Sequence, residues 1–379
     1  MKVYCVGETL NEVAFSRYCS KYFVIPQIEH DLKILQSFLS TFAAQVSGQI
    51  IIFPASDLFC LAISNICDYL DKKYLCSSNP RSVKTLVDKA LFAKSLVNSQ
   101  LAHPATLIVA LDQVDMVARD LTYPVLIKPT ITQNFWMFNV KSFVAENYFE
   151  LKTYIAQVRK YRISVVLQEV VPGPQSNVYG LAGYIDKDHQ LKGLFAYRRI
   201  RGWPLDFGCN SLIESIPIKQ VEGVTCSLLD YLRKIKYYGL FEAEFKRDAR
   251  DDVFKLIEIN ARPWWQNFFP TACGLNLVLI AFLDSVGLKV PFNKNYRAGL
   301  KWVHFFNDIC SAITLFHNGE LGLFDWLFSY SNVKDFAYFN VKDLLPFIAT
   351  PFFVCPSYAL AFMQKIWNKL GMAFGKYLP

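Results

Sequence analysis

In the stretch Lys255 to Asn267, KLIEINARPWWQN, a carboxylate and a carboxamide stand two residues apart in an otherwise apolar run. Residues two apart on a strand face the same side. Glu258 and Asn260 therefore point together, sharing a parity with Leu256, while Ile257, Ile259 and Ala261 take the other side. Upstream, GLFEAEFKRD alternates in the same way, with Phe241, Ala243 and Phe245 on one face and Glu242, Glu244 and Lys246 on the other. The intervening RDARDD reads as a long hairpin turn. Pairing the two strands brings Glu244 within diagonal reach of Glu258 and Asn260. Two carboxylates and an amide oxygen that converge repel one another unless a cation joins them, and an all-oxygen, partial shell suits Mg²⁺ held together with phosphate oxygens. The same alternation equally suits a solvated edge hairpin in which Glu244 and Glu258 pair with Lys246 and Lys255.

Other segments carry chemistry of the same kind. YPVLIKP is a β-branched strand ending in Lys128, and a lysine at the end of a buried strand must find an anion or reach water. Lys89, in the Asp88-Lys89 pair, offers a second ammonium on a preceding helix. VVLQEVVPGP is a strand running into a turn, where Val170 and Val171 present backbone donors and acceptors to the edge of a purine, with Gln168 and Glu169 beside them. Arg198, Arg199 and Arg201 suit a phosphate or a substrate carboxylate, or form a solvated basic turn. His103, His189 and His304 have no mates at metal-ligand spacing and read as structural or exposed.

The elements that must position these residues follow from pattern. At 379 residues the chain suggests two or three domains. Its 53% hydrophobic and 19% charged residues are those of a folded globular protein. The net charge of +8 is scattered, with no long basic run, which argues against nucleic acid as a partner. Ten cysteines include no CxxC pair and no secretory signal precedes them, pointing to a reducing, cytoplasmic compartment. Residues 1–82 read as an α/β unit: a strand near Val3–Val6, a helix Asp31–Val46, a strand Ile51–Phe53 and a helix Leu58–Leu70. A helix over the SVKTLVDKALFAKSLVNSQL segment follows, then alternating strands and helices to about residue 290, including a helix Ser142–Tyr161 and a helix Cys226–Tyr237. The second half of this region reads as antiparallel sheet, so the class is α+β. Residues 291–379 are aromatic-rich and helical in tendency; Pro346, Pro351 and Pro356 interrupt the apolar run Leu344–Gln364, which suits docking on a membrane surface or on its own domain better than a span.

The order of these motifs, Asp88-Lys89, strand-Lys128-Pro129, strand-Gln168-Glu169-turn, then the Glu244 and Glu258-Ile259-Asn260 hairpin followed by Arg262, resembles the ATP-grasp superfamily, in particular its bacterial carboxylate-amine ligase branch of predicted ATP-dependent carboligases. The resemblance runs over roughly Asp88 to Gly287. It implies an ATP-grasp domain at 83–290, a truncated α/β pre-ATP-grasp domain at 1–82 and an accessory helical region at 291–379. On this likeness Lys89 and Lys128 match the lysines that hold the α- and β-phosphates of ATP, and Gln168, Glu169, Val170 and Val171 match the adenine-binding linker. Glu244, Glu258 and Asn260 match the ligands of one or two Mg²⁺ (or Mn²⁺) ions, and Arg262 the basic position facing the γ-phosphate or acyl phosphate; Arg199 joins it as a second catalytic cation. The implied reaction is phosphorylation of a carboxylate by ATP, then displacement of phosphate from the acyl phosphate by an amine. Two departures stand out: Gln175 replaces the acidic residue that contacts the ribose in several relatives, and the phosphate-covering segment TITQNFWMFNVK has no glycine. A non-catalytic ATP-binding scaffold, or a ligase with a thiol or another acceptor, are the alternatives.

Overall fold

The computed structural model of the chain describes residues 1–138, 140–205 and 207–353. It divides into two compact units, one made of Met1–Ile34 with the chain from Phe336 onward and the other of Leu35–Asp335.

In the first unit, strands β1 (Tyr4–Gly7) and β2 (Lys21–Val24) pair in parallel. The helix Leu345–Phe353 packs on the 3-10 turn Glu12–Phe15, with the rings of Phe15 and Phe353 5.9 Å apart, and Ser16 Oγ donates to Asp343 at 2.5 Å. Residues 354–379, on which most of the expected membrane-docking tail falls, lie outside the described residues. Among the described residues no helix is long and apolar enough to cross a membrane.

The second unit begins with the helix Leu32–Gln45, whose apolar stripe Leu35, Leu39 and Phe42 is buried, and a parallel pair, β3 (Ile50–Ile52) and β4 (Tyr74–Cys76). Two sheets built mainly of antiparallel pairs follow. The smaller contains β5 (Thr106–Ile108), β6 (Val125–Pro129), β7 (Phe143–Ala145) and β8 (Val165–Glu169), in the order β5-β8-β6-β7. Val125, Ile127, Val165 and Leu167 on one face pack against Leu151, Ile155 and Val158 of the helix Tyr148–Lys160. The larger contains β9 (Val178–Ile185), β10 (Leu191–Trp203), β11 (Cys209–Ser215), β12 (Gly239–Arg247), β13 (Phe254–Asn260), β14 (Lys301–Val303) and β15 (Val333–Phe336), in the order β13-β12-β9-β10-β11-β14-β15. One face buries Leu181, Ala196, Phe241, Ala243, Phe245 and Ile259 against the helices Pro80–Val87, Lys89–Leu96 and Glu222–Lys234.

Three local features differ from the pattern reading, each for a physical reason. The single helix expected across residue 88 is two: Asp88 is extended (φ −81°, ψ 113°), ends the first and caps the second by accepting from the N–H groups of Ala90 and Leu91. The helix expected over Ser142–Tyr161 starts only at Tyr148, where Asn147 caps it, and the preceding Phe143–Ala145 pairs with β6. The region after residue 290 is helical over Phe305–His317 and Leu323–Ser329 but also supplies β14 and β15 to the large sheet. Its anchor is Asp308, fully buried, which accepts from Arg201 (Nε 2.9 Å, Nη2 2.7 Å), Ser211, Trp326 and Tyr330.

Candidate functional site

A cleft of about 1060 Å³ lies between the two sheets. It is lined by Lys89, Lys128, Lys141, Gln168 to Gln175, Arg199, Glu242, Glu244, Glu258, Asn260 and Arg262. Apart from Arg198, every residue singled out above as a phosphate, adenine, metal or catalytic candidate therefore borders one cavity. Elements far apart in the chain deliver them: Lys89 at the start of a helix, Lys128 and Gln168 on adjacent strands, and the acidic group on the β12–β13 hairpin.

The hairpin register sets the acidic group. Glu242 lies opposite Asn260 and Glu244 opposite Glu258, so Glu244 meets Glu258 directly across the ladder. The next pair is Phe245 with Leu256, which leaves Ile257 as an extra residue on β13. That bulge reverses the parity of the strand. Leu256 joins the core with Ile259 while Glu258 and Asn260 face the cleft, whereas strict alternation puts Leu256 with the polar pair.

Two opposed charge fields act on the glutamates. Burial and the nearby Glu258 raise the carboxyl of Glu244, against the pull of Arg199, whose Nη2 donates to it at 3.0 Å. Desolvation by the cleft walls acts to raise Glu258, whose side chain stays open to the cleft, but the combined fields of Lys89, Lys128, Lys141 and Arg262 outweigh it and hold that carboxyl below its ordinary value. Lys128 is pushed down to about 8, chiefly by burial, and its Nζ donates to Gln168 Oε1 at 2.7 Å. Lys89 donates to Thr132 Oγ1 at 2.7 Å. Arg262 donates through Nε to Asp57 at 2.6 Å and through Nη2 to Asn260 Oδ1 at 3.1 Å.

The remaining candidates divide. Val170 and Val171 follow β8 along the cleft wall, with Gln168 held by Lys128 and by its own bond to Thr106. The Glu169 carboxylate is engaged structurally: it accepts from the Ala105 N–H at 3.0 Å and pairs with Arg250 and Lys255, tying β8 to the hairpin turn. The three arginines of β10 do not act as one cluster. Arg199 faces the cleft, Arg198 pairs with Glu214 at 3.5 Å, and Arg201 is spent on Asp308. Gln175, the departure from the acidic residue of several relatives, also lines the cleft.

Five cleft-side groups escaped the motif reading. Lys141, closing the glycine-free segment, is a third ammonium, raised because Cys209 at 2.8 Å, Glu258 and Glu244 outweigh its burial. Asp57 positions Arg262. Glu242 shares its face with Glu244, a signal present in the sequence, and accepts from Asn260 Nδ2 at 2.7 Å and from Tyr197. Burial, then the Glu244 charge, raises it to about 7. Tyr197 and Asn210 lie on strands whose pairing no local pattern reveals.

The donor set fits a hard divalent cation: two carboxylates face each other and an amide oxygen lies one pair along the ladder, all oxygen. Among the described residues no three His, Cys, Asp or Glu side chains cluster closely enough to hold an ion alone. A cation held here would share its shell with ligand oxygens, and the three lysines lining the cleft suit a polyanion that would supply them.

A seven-stranded, mainly antiparallel sheet facing a smaller four-stranded one across such a cleft is the ATP-grasp fold, and the chain shares that fold with solved ATP-grasp structures. It is 24% identical over 326 residues to the D-aspartate ligase of Enterococcus faecium (strain Aus0004), covering 78% of this chain and 76% of that one. Among solved structures it is similar to the biotin carboxylase domain of Hydrogenobacter thermophilus 2-oxoglutarate carboxylase, in complex with MgADP, ADP and bicarbonate (TM-score 0.63, 13% identity, 79% of this chain and 68% of that one). It is also similar to N5-carboxyaminoimidazole synthetase from Staphylococcus aureus complexed with ADP (TM-score 0.61, 14% identity, 78% and 73%). No family model matches the chain.

Proposed function

We propose that this chain is an ATP- and Mg²⁺-dependent ligase that activates a carboxylate as an acyl phosphate and joins it to an amine, forming an amide. The observation that carries the reading is the meeting of Glu244, Glu258 and Asn260 on one hairpin with Lys89, Lys128 and Lys141 lining the same cleft. The likeness to D-aspartate ligase supports the carboxylate-amine class, and the ADP and MgADP complexes of the fold relatives support the nucleotide and the metal. The ATP-grasp module is assigned to residues 83–290, with 1–82 as the α/β pre-ATP-grasp domain and 291–379 as an accessory region.

Lys89 and Lys128 hold the α- and β-phosphates, and the Val170–Val171 backbone takes the adenine edge. Glu244, Glu258 and Asn260 hold Mg²⁺, which when bound neutralises charge on the phosphate oxygens. Arg262, fixed by Asp57, and Arg199, fixed by Asn210, face the phosphoryl group in transfer. No side chain forms a covalent intermediate. The chain acts in the cytoplasm, where its nine described cysteines, all free, stay reduced. Peripheral membrane contact through residues 344–379 is supported by exposed Leu344, Leu345 and Ile348 and is tested by liposome sedimentation.

The test is ADP release with Mg²⁺ and ATP across a panel of carboxylates and amines. Release depends on a matched pair and is abolished by Glu258→Gln. Nucleotide binding without turnover across a broad panel, including thiols as acceptors, refutes the ligase reading and leaves a scaffold.

A further inference from the structure

A line of hydrogen bonds runs under the acidic group. Asn260 Nδ2 donates to Glu242 Oε2 at 2.7 Å, and the Tyr197 hydroxyl donates to Glu242 Oε1. Asn210 Nδ2 reaches the Tyr197 oxygen at 3.4 Å, and Asn210 Oδ1 accepts from Arg199 Nε at 2.5 Å. Arg199 Nη2 closes the line on Glu244. Tyr197 is 1% exposed, Glu242 3% and Asn210 5%, so none of the three can be a surface ornament.

The sheet has made room for this. Tyr197 is on β10 and Glu242 on β12, with β9 between them. The tyrosine ring crosses β9 at Gly180, which lies opposite Tyr197 on one side and Glu244 on the other. A Cβ at residue 180 would meet ring atoms at 2.1 Å, so only glycine lets the phenol pass.

We propose that Tyr197 and Glu242 are positioning residues that fix the orientation of the Asn260 amide and, through Asn210, the Arg199 guanidinium. The amide is read from both sides. Ionised Glu242 has only acceptors, so it sees the NH₂ of Asn260, and Arg262 has only donors, so in either state of Glu242 it must see Oδ1. A flipped amide faces carboxylate with oxygen and guanidinium with nitrogen. The amide oxygen is thereby held away from Glu242, ready for the cation, while Arg199 is held on Glu244. This inference rests on the metal-nucleotide reading above and assigns what orients that site.

The test is Mn²⁺ binding in the presence of ADP, followed by electron paramagnetic resonance on the full chain, with ADP affinity in chelator and thermal melting measured alongside. Tyr197→Phe and Glu242→Gln each weaken Mn²⁺ by about 10-fold, while metal-free ADP affinity stays within about twofold. The exchange variant Glu242→Gln/Asn260→Asp restores the bond with reversed polarity, because the new amide donates to the new carboxylate. Glu242→Gln removes one carboxylate in either background, so its charge effect cancels in the cycle: it weakens Mn²⁺ in the wild-type background and does not weaken it in the Asn260→Asp background. Wild-type protein that binds Mn²⁺ and ADP, with both single variants matching it or Glu242→Gln costing as much in the Asn260→Asp background as in the wild type, overturns the inference alone. Wild-type protein that binds neither overturns the ligase reading and the inference with it.

Discussion

Lys128 turns nucleotide binding into a proton-uptake experiment. Its ammonium is held down to about 8, from an ordinary value near 10.5, because burial at the end of β6 outweighs the attraction of Glu258 and Glu244, and Lys89 and Lys141 add repulsion. At pH 9 about nine in ten of the free sites are then neutral, and at pH 7 about one in ten. A phosphate oxygen at about 4 Å favours the charged form by roughly 4 kcal/mol at an effective dielectric of 20, enough to keep the bound lysine protonated at pH 9. Binding of MgADP therefore takes up about 0.9 protons at pH 9 and about 0.1 at pH 7. Calorimetry in buffers of different ionisation enthalpy reads that number directly, and Lys128→Arg, which cannot lose its proton, removes the difference. The sign for folding is opposite. Between about pH 8 and 10.5 the unfolded chain binds the extra proton, so the free protein gains stability as pH rises through that window while its nucleotide affinity falls. Equal uptake at both pH values, or uptake unchanged in Lys128→Arg, refutes the assignment of Lys128 to phosphate.

The Arg201–Asp308 pair is buried, with side chains 6% and 0% exposed, and removal of one partner strands the other. Asp308→Asn therefore costs about 3–5 kcal/mol in urea denaturation, and Arg201→Met/Asp308→Leu recovers little of it, because Ser211, Trp326 and Tyr330 lose the acceptor they share. His304 is fully buried and its imidazole is lowered to about 4 by burial, so below pH 6.5 the unfolded chain protonates first and stability falls by about 3 kcal/mol on reaching pH 4. Melting across that range checks it, and His304→Gln flattens the dependence.

What the sequence made legible was what depends on neighbours along one strand. The alternation in GLFEAEFKRD and KLIEIN located the hairpin and its polar face, and Lys128, Gln168 and Arg262 fell on the cleft because each sits at or beside a strand end. Apart from Arg199, contributions from β10 and β11 were not legible. Tyr197 reaches Glu242, two strands away, only because a glycine on the intervening strand lets its ring across, and no window along the chain contains that fact. The bulge at Ile257 was equally hidden, since Leu256 and Glu258 fit one parity until the register with β12 is known. Asp88 shows the reverse case. Its helical neighbours made it look like a mid-helix residue, yet its side chain competes for backbone N–H groups, and capping won over the apolar spacing.

The same bulge explains why the proposed metal donors can coexist with a closed core. In an unbroken ladder Leu256, Glu258 and Asn260 share a face, and either a leucine faces the cleft or a carboxylate enters the core. Adding one residue between them sends Leu256 inward to Phe245 while Glu258 stays opposite Glu244. Burial of the leucine contributes roughly 2 kcal/mol that strict alternation would forfeit. Meanwhile two carboxylates directly across a ladder repel, and the offsetting charges come from elements outside the hairpin: Arg199 from β10, Lys128 from β6, Lys89 from the helix that Asp88 caps. The site is thus a property of the assembled sheets rather than of the hairpin, and the hairpin motif has chemical meaning only because the smaller sheet carries cations to the other side of the cleft.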